Sequence, residues 1–119
     1  MGSRIVATGR STPRTAVANQ DLTRIMDTAD EWIRSRTGIG QRYVMRSGES
    51  LVDVAADASR IALDRAGIKP GQLDAIVVGT VSSEYAFPSF ACSLQERIGA
   101  DHIPAFDVAA ACSGFVYAL

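Results

Sequence analysis

The chain has 119 residues, 47% hydrophobic and 21% charged, with a formal net charge of −1. Those figures describe a globular protein of about one domain's size, and without any Lys/Arg block they exclude the electrostatic footprint of a nucleic-acid binder. No apolar run approaches the ~20 residues that span a bilayer, the N-terminus lacks a secretion-signal layout, and two cysteines make neither a disulfide framework nor a zinc set, so a cytoplasmic location is the simplest expectation.

Arg4 to Gly9 reads as a short buried strand closed by glycine. Residues 10–18, polar with Pro13, read as a loop, and Asn19 as the N-cap of a short helix carrying Leu22, Ile25 and Met26. Thr28 or Asp30 then caps a second helix through Trp32, Ile33 and Arg36, with Gly38 as its C-terminal cap. Ser50 opens the strongest helix, Leu51 to Ala66, in which Leu51, Val54, Ala55, Ala58, Ile61, Ala62 and Leu63 keep the helical period. Gly67 closes it and Pro70-Gly71 marks a turn. Asp74 to Thr80 is a continuous apolar strand of the kind buried on both faces. A loop ending in Phe87-Pro88 leads to Ser89, the cap of a helix with Ala91, Leu94 and Ile98 on one face and Gly99 as its stop. A strand at Ala105–Val108 follows.

From residue 50 onward the order is helix, strand, helix, strand, helix, which predicts an α/β fold with a mostly parallel sheet and helices on both faces. Function in such sheets sits beyond the carboxyl ends of the strands. Thr80 to Phe87 and Ala109 to Cys112 both lie there and should be neighbours.

Cys112 is the candidate for chemistry. Three alanines precede it, Ser113-Gly114 follows, and an apolar helical run comes next. A thiol on a tight strand-to-helix turn meets unpaired N–H groups that favour its thiolate. Small neighbours let a substrate approach. The competing reading is a buried structural cysteine, and Cys92, inside an amphipathic helix, reads as packing. Asp27, Asp30 and Glu31 read as first-turn helix acids and not as a metal site. Arg34, Arg36 and Arg42 can form a solvated basic face. The sole histidine, His102, reads as a surface or structural residue.

Three stretches carry a family resemblance: Trp32 to Ile39 (WIRSRTGI), Ala86 to Ser89 (AFPS) and Asp107 to Phe115 (DVAAACSGF). Together, in register from Arg4 to the end, they resemble β-ketoacyl-acyl-carrier-protein synthase III, the initiating condensing enzyme of bacterial fatty-acid synthesis. The resemblance implies a thiolase-like αβαβα layered fold, of which residues 1–119 would be an N-terminal half-domain with the second half absent. It places the acyl-accepting nucleophile at Cys112 and coenzyme A at Thr28, Trp32, Arg36 and Thr37. Phe87 falls where one subunit closes the acyl pocket of its dimer mate. Gly40-Gln41 departs from an acidic-basic pair common among relatives.

The implied chemistry is acyl transfer and then condensation. The Cys112 thiolate takes the acyl group of a short acyl-coenzyme A. Malonyl-acyl carrier protein then loses carbon dioxide and attacks the acyl-enzyme. The resemblance implies no cofactor beyond the coenzyme A thioester substrate, no metal, and a homodimer. The family's catalytic histidine and asparagine belong to the second half, so these 119 residues are expected to be inactive in condensation; unpaired sheet edges and an exposed apolar face predict an insoluble or partly folded product. The competing assignments are another thiolase-fold enzyme, such as a hydroxymethylglutaryl-coenzyme A synthase or a polyketide-type synthase, and a non-catalytic half-subunit that pairs with a partner chain.

Overall fold

The structure, a computed structural model, describes residues 2–119. The chain divides into two compact units: Thr12–Ser50, and the residues up to Ser11 together with Leu51–Leu119.

The smaller unit is built on a two-stranded antiparallel ribbon. β1 (Thr15–Ala18) pairs with β2 (Gln41–Val44), Thr15 opposite Val44 and Ala18 opposite Gln41. This corrects the expected loop at 10–18. The strands sit far apart in sequence and each is only four residues long, so no local alternation announces either. Between them run α1 (Asn19–Leu22) and α2 (Asp30–Thr37). Asn19 is not the cap of α1 but its first residue. The N-cap position is Ala18, whose N–H donates to Asp21 Oδ2 at 2.9 Å. Ile25 and Met26 lie beyond the helix and are exposed. Gly38 closes α2 in the left-handed conformation, as expected, its N–H bonding the Arg34 carbonyl at 2.8 Å. Neither Thr28 nor Asp30 caps α2; the N-cap position is Ala29.

The larger unit is the α/β part. α3 (Leu51–Ala66) has the predicted bounds. Its buried positions are Val52 and Ala56, with Ala55 and Leu63 beside them. Ile61, expected in the core stripe, is exposed. The apolar stripe is therefore split. Ala58 and Ala62 instead back on Gly9, where a Cβ would come within 2.0 Å of the Ala58 carbonyl oxygen. The 4–9 segment, expected as a strand, pairs with no other strand among the described residues; Arg65 Nη1 holds it by donating to the Thr8 carbonyl at 2.9 Å.

A 3-10 turn at Pro70–Gln72 leads into β3 (Ile76–Gly79), which pairs in parallel with β4 (Ala105–Val108). α4 (Phe90–Ile98) crosses between them and is capped as predicted: Ser89 Oγ accepts from Cys92 N–H at 3.2 Å, and Gly99 stops the helix in the left-handed conformation. Ala56, Ile76, Ala91, Leu94, Ile98 and Ala100 form the core, with Val78 and Ala105 partly buried against it. Side chains of a strand alternate between faces. Ile76 and Val78 thus meet the α4 side, while Gly79 backs on Gly114 of the last helix, α5 (Gly114–Ala118). Helices therefore cover both faces of the parallel pair, the α/β layering the sequence predicts. No helix among the described residues is long and apolar enough to cross a membrane.

Candidate functional site

Cys112 occupies a 3-10 turn, Ala111–Ser113, between β4 and α5. Its side chain is exposed among the described residues. The Ser113 N–H bonds the Ala110 carbonyl at 2.9 Å and closes the turn. Ala111 has a φ of 44°. A left-handed alanine costs roughly 1–2 kcal/mol because its Cβ crowds the following carbonyl, and such residues concentrate at functional sites. The last helix begins at Gly114, two residues after Cys112.

Of the two segments expected to be neighbours, the 80–86 loop meets Ala109 at a groove, and Cys112 is not among the residues that line it. Thr80, Val81, Ser83, Glu84, Tyr85 and Ala86 line a groove with Asp107 and Ala109. The 80–86 loop is tied down from inside the unit. Ser83 Oγ donates to the Tyr85 carbonyl at 2.7 Å, and Glu84 Oε1 accepts from the Leu51 N–H at 2.9 Å. Phe87 projects beyond this groove, 89% exposed. Cys92, by contrast, is half-buried, its sulfur accepting from Ser89 Oγ at 3.1 Å.

Asp107 is the residue sequence reasoning missed here. Its carboxylate accepts from the Phe90 N–H at 2.7 Å and the Ala91 N–H at 2.8 Å. Those are two of the orphan donors of α4. The carboxylate thus ties the start of α4, just after Phe87-Pro88-Ser89, to the strand that delivers Cys112. The available signal was a lone carboxylate within an apolar strand, Ala105-Phe106-Asp107-Val108.

In the smaller unit, α2 presents the other candidates. Arg36 lies over the Trp32 ring at 5.6 Å from its centroid, an i,i+4 cation–π pair. Trp32 remains 58% exposed, with surface for a ligand. It lines a groove with Asp27, Thr28 and Ala29. Thr37 is committed to the helix end: its Oγ1 donates to the Ile33 carbonyl at 2.8 Å and accepts from the Ile39 N–H at 3.0 Å. Its hydroxyl proton is therefore unavailable to a ligand. Asp30 is paired with Arg34 at 2.9 Å and bonded by Asn19. The Asn19 amide, then the Arg34 guanidinium, hold the Asp30 carboxyl below its usual range. No group of three or more acidic, histidine or cysteine side chains able to hold a metal occurs among the described residues. His102 lies exposed in the turn before β4 with a φ of 62°, a surface position.

No protein-family model matches the chain. Curated relatives do. The chain is 51% identical over 117 residues to the β-ketoacyl-[acyl-carrier-protein] synthase III of Xylella fastidiosa, covering 98% of this chain and 36% of that protein. It is 44% identical over 117 residues to the protein of the same name from Natranaerobius thermophilus, again over 36% of its length. The chain therefore spans about a third of the length of the curated relatives it matches. Among solved structures, 3-oxoacyl-[acyl-carrier-protein] synthase III from Aquifex aeolicus superposes with a TM-score of 0.90 at 41% identity, over 98% of this chain and 37% of that one. The priming β-ketosynthase of the R1128 polyketide pathway superposes with a TM-score of 0.89 at 35% identity, over 97% and 34%. The fold is thus that of part of a thiolase-type condensing enzyme.

Proposed function

We propose that this chain, whose sequence and fold match the β-ketoacyl-acyl-carrier-protein synthases III over the part of them it spans, carries the acyl-accepting step of such an enzyme in fatty-acid synthesis. The observation that carries the reading is an exposed Cys112 held behind a left-handed Ala111 at the carboxyl end of β4. The sulfur attacks the carbonyl carbon of a short acyl-coenzyme A. The carbonyl oxygen takes the negative charge, with backbone N–H groups of the turn, that of Cys112 among them, as its donors. As the tetrahedral centre collapses, the carbon–sulfur bond to coenzyme A breaks, the departing thiolate takes up a proton, and the acyl group stays on Cys112.

Coenzyme A is the ligand of α2. The ring of Trp32 offers a stacking surface to adenine and Arg36 a charge for a phosphate, with Thr28 at the groove. Thr37 supports the helix end and contributes acceptor capacity only. Phe87, almost fully exposed, suits contact with a second subunit of a homodimer. The second substrate is malonyl-acyl carrier protein, and its condensation requires the histidine and asparagine of the longer family members. Phe115, Val116, Tyr117 and Leu119 of the α5 region stay exposed, an apolar face suited to packing under further chain of that kind. The likeness to the R1128 enzyme supports a second reading, a priming synthase of polyketide assembly, with the same acyl-cysteine step.

Acetyl-coenzyme A tests the acyl-enzyme directly. Incubation is expected to add one acetyl group to the Cys112 peptide, to spare Cys92, and to fail in Cys112→Ser. An unmodified Cys112 in protein whose thiol still alkylates with iodoacetamide overturns the reading.

A further inference from the structure

α2 carries the proposed coenzyme A face yet buries a single residue, Ile33. Apolar packing alone therefore fixes its rotation weakly. A polar knot does the rest. Asn19 is 1% exposed. Its Nδ2 donates to Asp30 Oδ1 at 2.7 Å and to the Ile39 carbonyl at 2.8 Å. Asp30 is the first residue of α2, and Ile39 follows its Gly38 cap. One amide thus grips both ends of the helix. Its oxygen accepts from Arg42 Nη2, and Arg42 Nη1 donates to the Val17 carbonyl at 3.2 Å, which ties the knot to the ribbon. The backbone joins in, with Asn19 N–H donating to the Gly40 carbonyl at 3.2 Å. The donors and acceptors of the side chain are satisfied with one polarity: both Nδ2 hydrogens face oxygens, and Oδ1 faces a guanidinium.

We propose that Asn19 is the positioning residue of the coenzyme A-binding helix, setting the orientation of the Trp32–Arg36 face through Asp30 and Ile39. The proposal rests on the coenzyme A reading above. Asn19 itself touches no ligand. An aspartate there has the same shape and the wrong polarity on one side, since the oxygen replacing Nδ2 would face the Asp30 carboxylate and the Ile39 carbonyl while the other keeps Arg42. A buried group left in that state forfeits its bonds and carries a desolvation penalty.

Trp32 is the only tryptophan, so its emission reads α2 directly. Coenzyme A is titrated into the full chain, into Asn19→Asp, and into the swap variant Asn19→Asp with Asp30→Asn. Asn19→Asp is expected to raise the apparent Kd about tenfold or more, roughly what one charge-assisted hydrogen bond is worth. The swap restores a donor opposite an acceptor and is expected to recover part of that affinity. Arg42→Lys, a milder change that keeps the charge, is expected to weaken binding less, and it serves if Asn19→Asp does not fold. A wild-type chain whose emission ignores saturating coenzyme A defeats the coenzyme A reading and not the geometry of the knot. A wild-type chain that binds, beside Asn19→Asp and Arg42→Lys that bind equally well, overturns the positioning role. A loss in Asn19→Asp that the swap does not relieve overturns it too, because the loss is then one of general packing.

Discussion

Removing the Asp107 carboxylate is the sharpest test of how the α/β unit is held together. It accepts two backbone N–H bonds, from Phe90 and Ala91, at 2.7 and 2.8 Å. A hydrogen bond to a charged group contributes about 1.5–3 kcal/mol net. The two share one acceptor group that is only part-buried, and water can reach the freed N–H groups, so the pair is worth less than the sum. We expect Asp107→Ala to cost about 3 kcal/mol, a large share of a domain's usual ~5–15 kcal/mol. With a urea slope near 1.5 kcal/mol/M the midpoint falls by about 2 M. Asp107→Asn keeps one oxygen but points its NH2 at a second donor, and it is expected to recover less than half of the loss. Ser89→Ala, which removes the other N-terminal acceptor of α4, sets the scale at about 1 kcal/mol. Urea unfolding followed by far-ultraviolet circular dichroism measures all three, and hydrogen exchange at the Phe90 and Ala91 amides shows whether the freed donors open. An Asp107→Ala midpoint within about 0.3 M of wild type, with those amides still protected, refutes the reasoning.

Ala91, fully buried in the core with Ala56, leaves no room for growth: Ala91→Leu should cost ~1–3 kcal/mol or more in the same urea assay. The left-handed Ala111 should accept Ala111→Gly with no loss or a gain of up to ~1 kcal/mol, while Ala111→Val should lose stability, because a β-branched side chain is disfavoured at positive φ. Two carboxylates of the smaller unit are held below their ordinary values, Glu49 from 4.5 by the Arg46 and Arg14 backbone N–H groups and Asp30 from 3.8 by Asn19 and Arg34. A depressed folded pKa contributes stability that is complete above the unfolded value and is lost as pH falls through the folded one. The Trp32-monitored unfolding midpoint should therefore be flat above about pH 5.5 and decline below about pH 4, with a shallower decline in Glu49→Gln.

Features written in contiguous residues were legible from the chain alone. The α3 bounds, the Ser89 cap, the Gly38, Gly67 and Gly99 stops, the β4 strand and the tight turn at Cys112 all follow from local propensity and short-range pattern. Helix caps and strand runs close their bonds within a few residues, so their signal sits in one window. Pairings across long separations were not legible. The ribbon of β1 and β2 joins residues some 25 positions apart, and α3 splits its apolar stripe because Gly9 lies against Ala58 and Ala62. The same holds for polar side chains. Asn19 has the composition of a helix cap and becomes the buried tie between Asp30, Ile39 and Arg42. Asp107 looks like an anomaly in a strand and becomes the acceptor for α4. An amide or a carboxylate bonds whichever complementary group the folded chain brings within about 3 Å, and that choice exists only once distant segments have met.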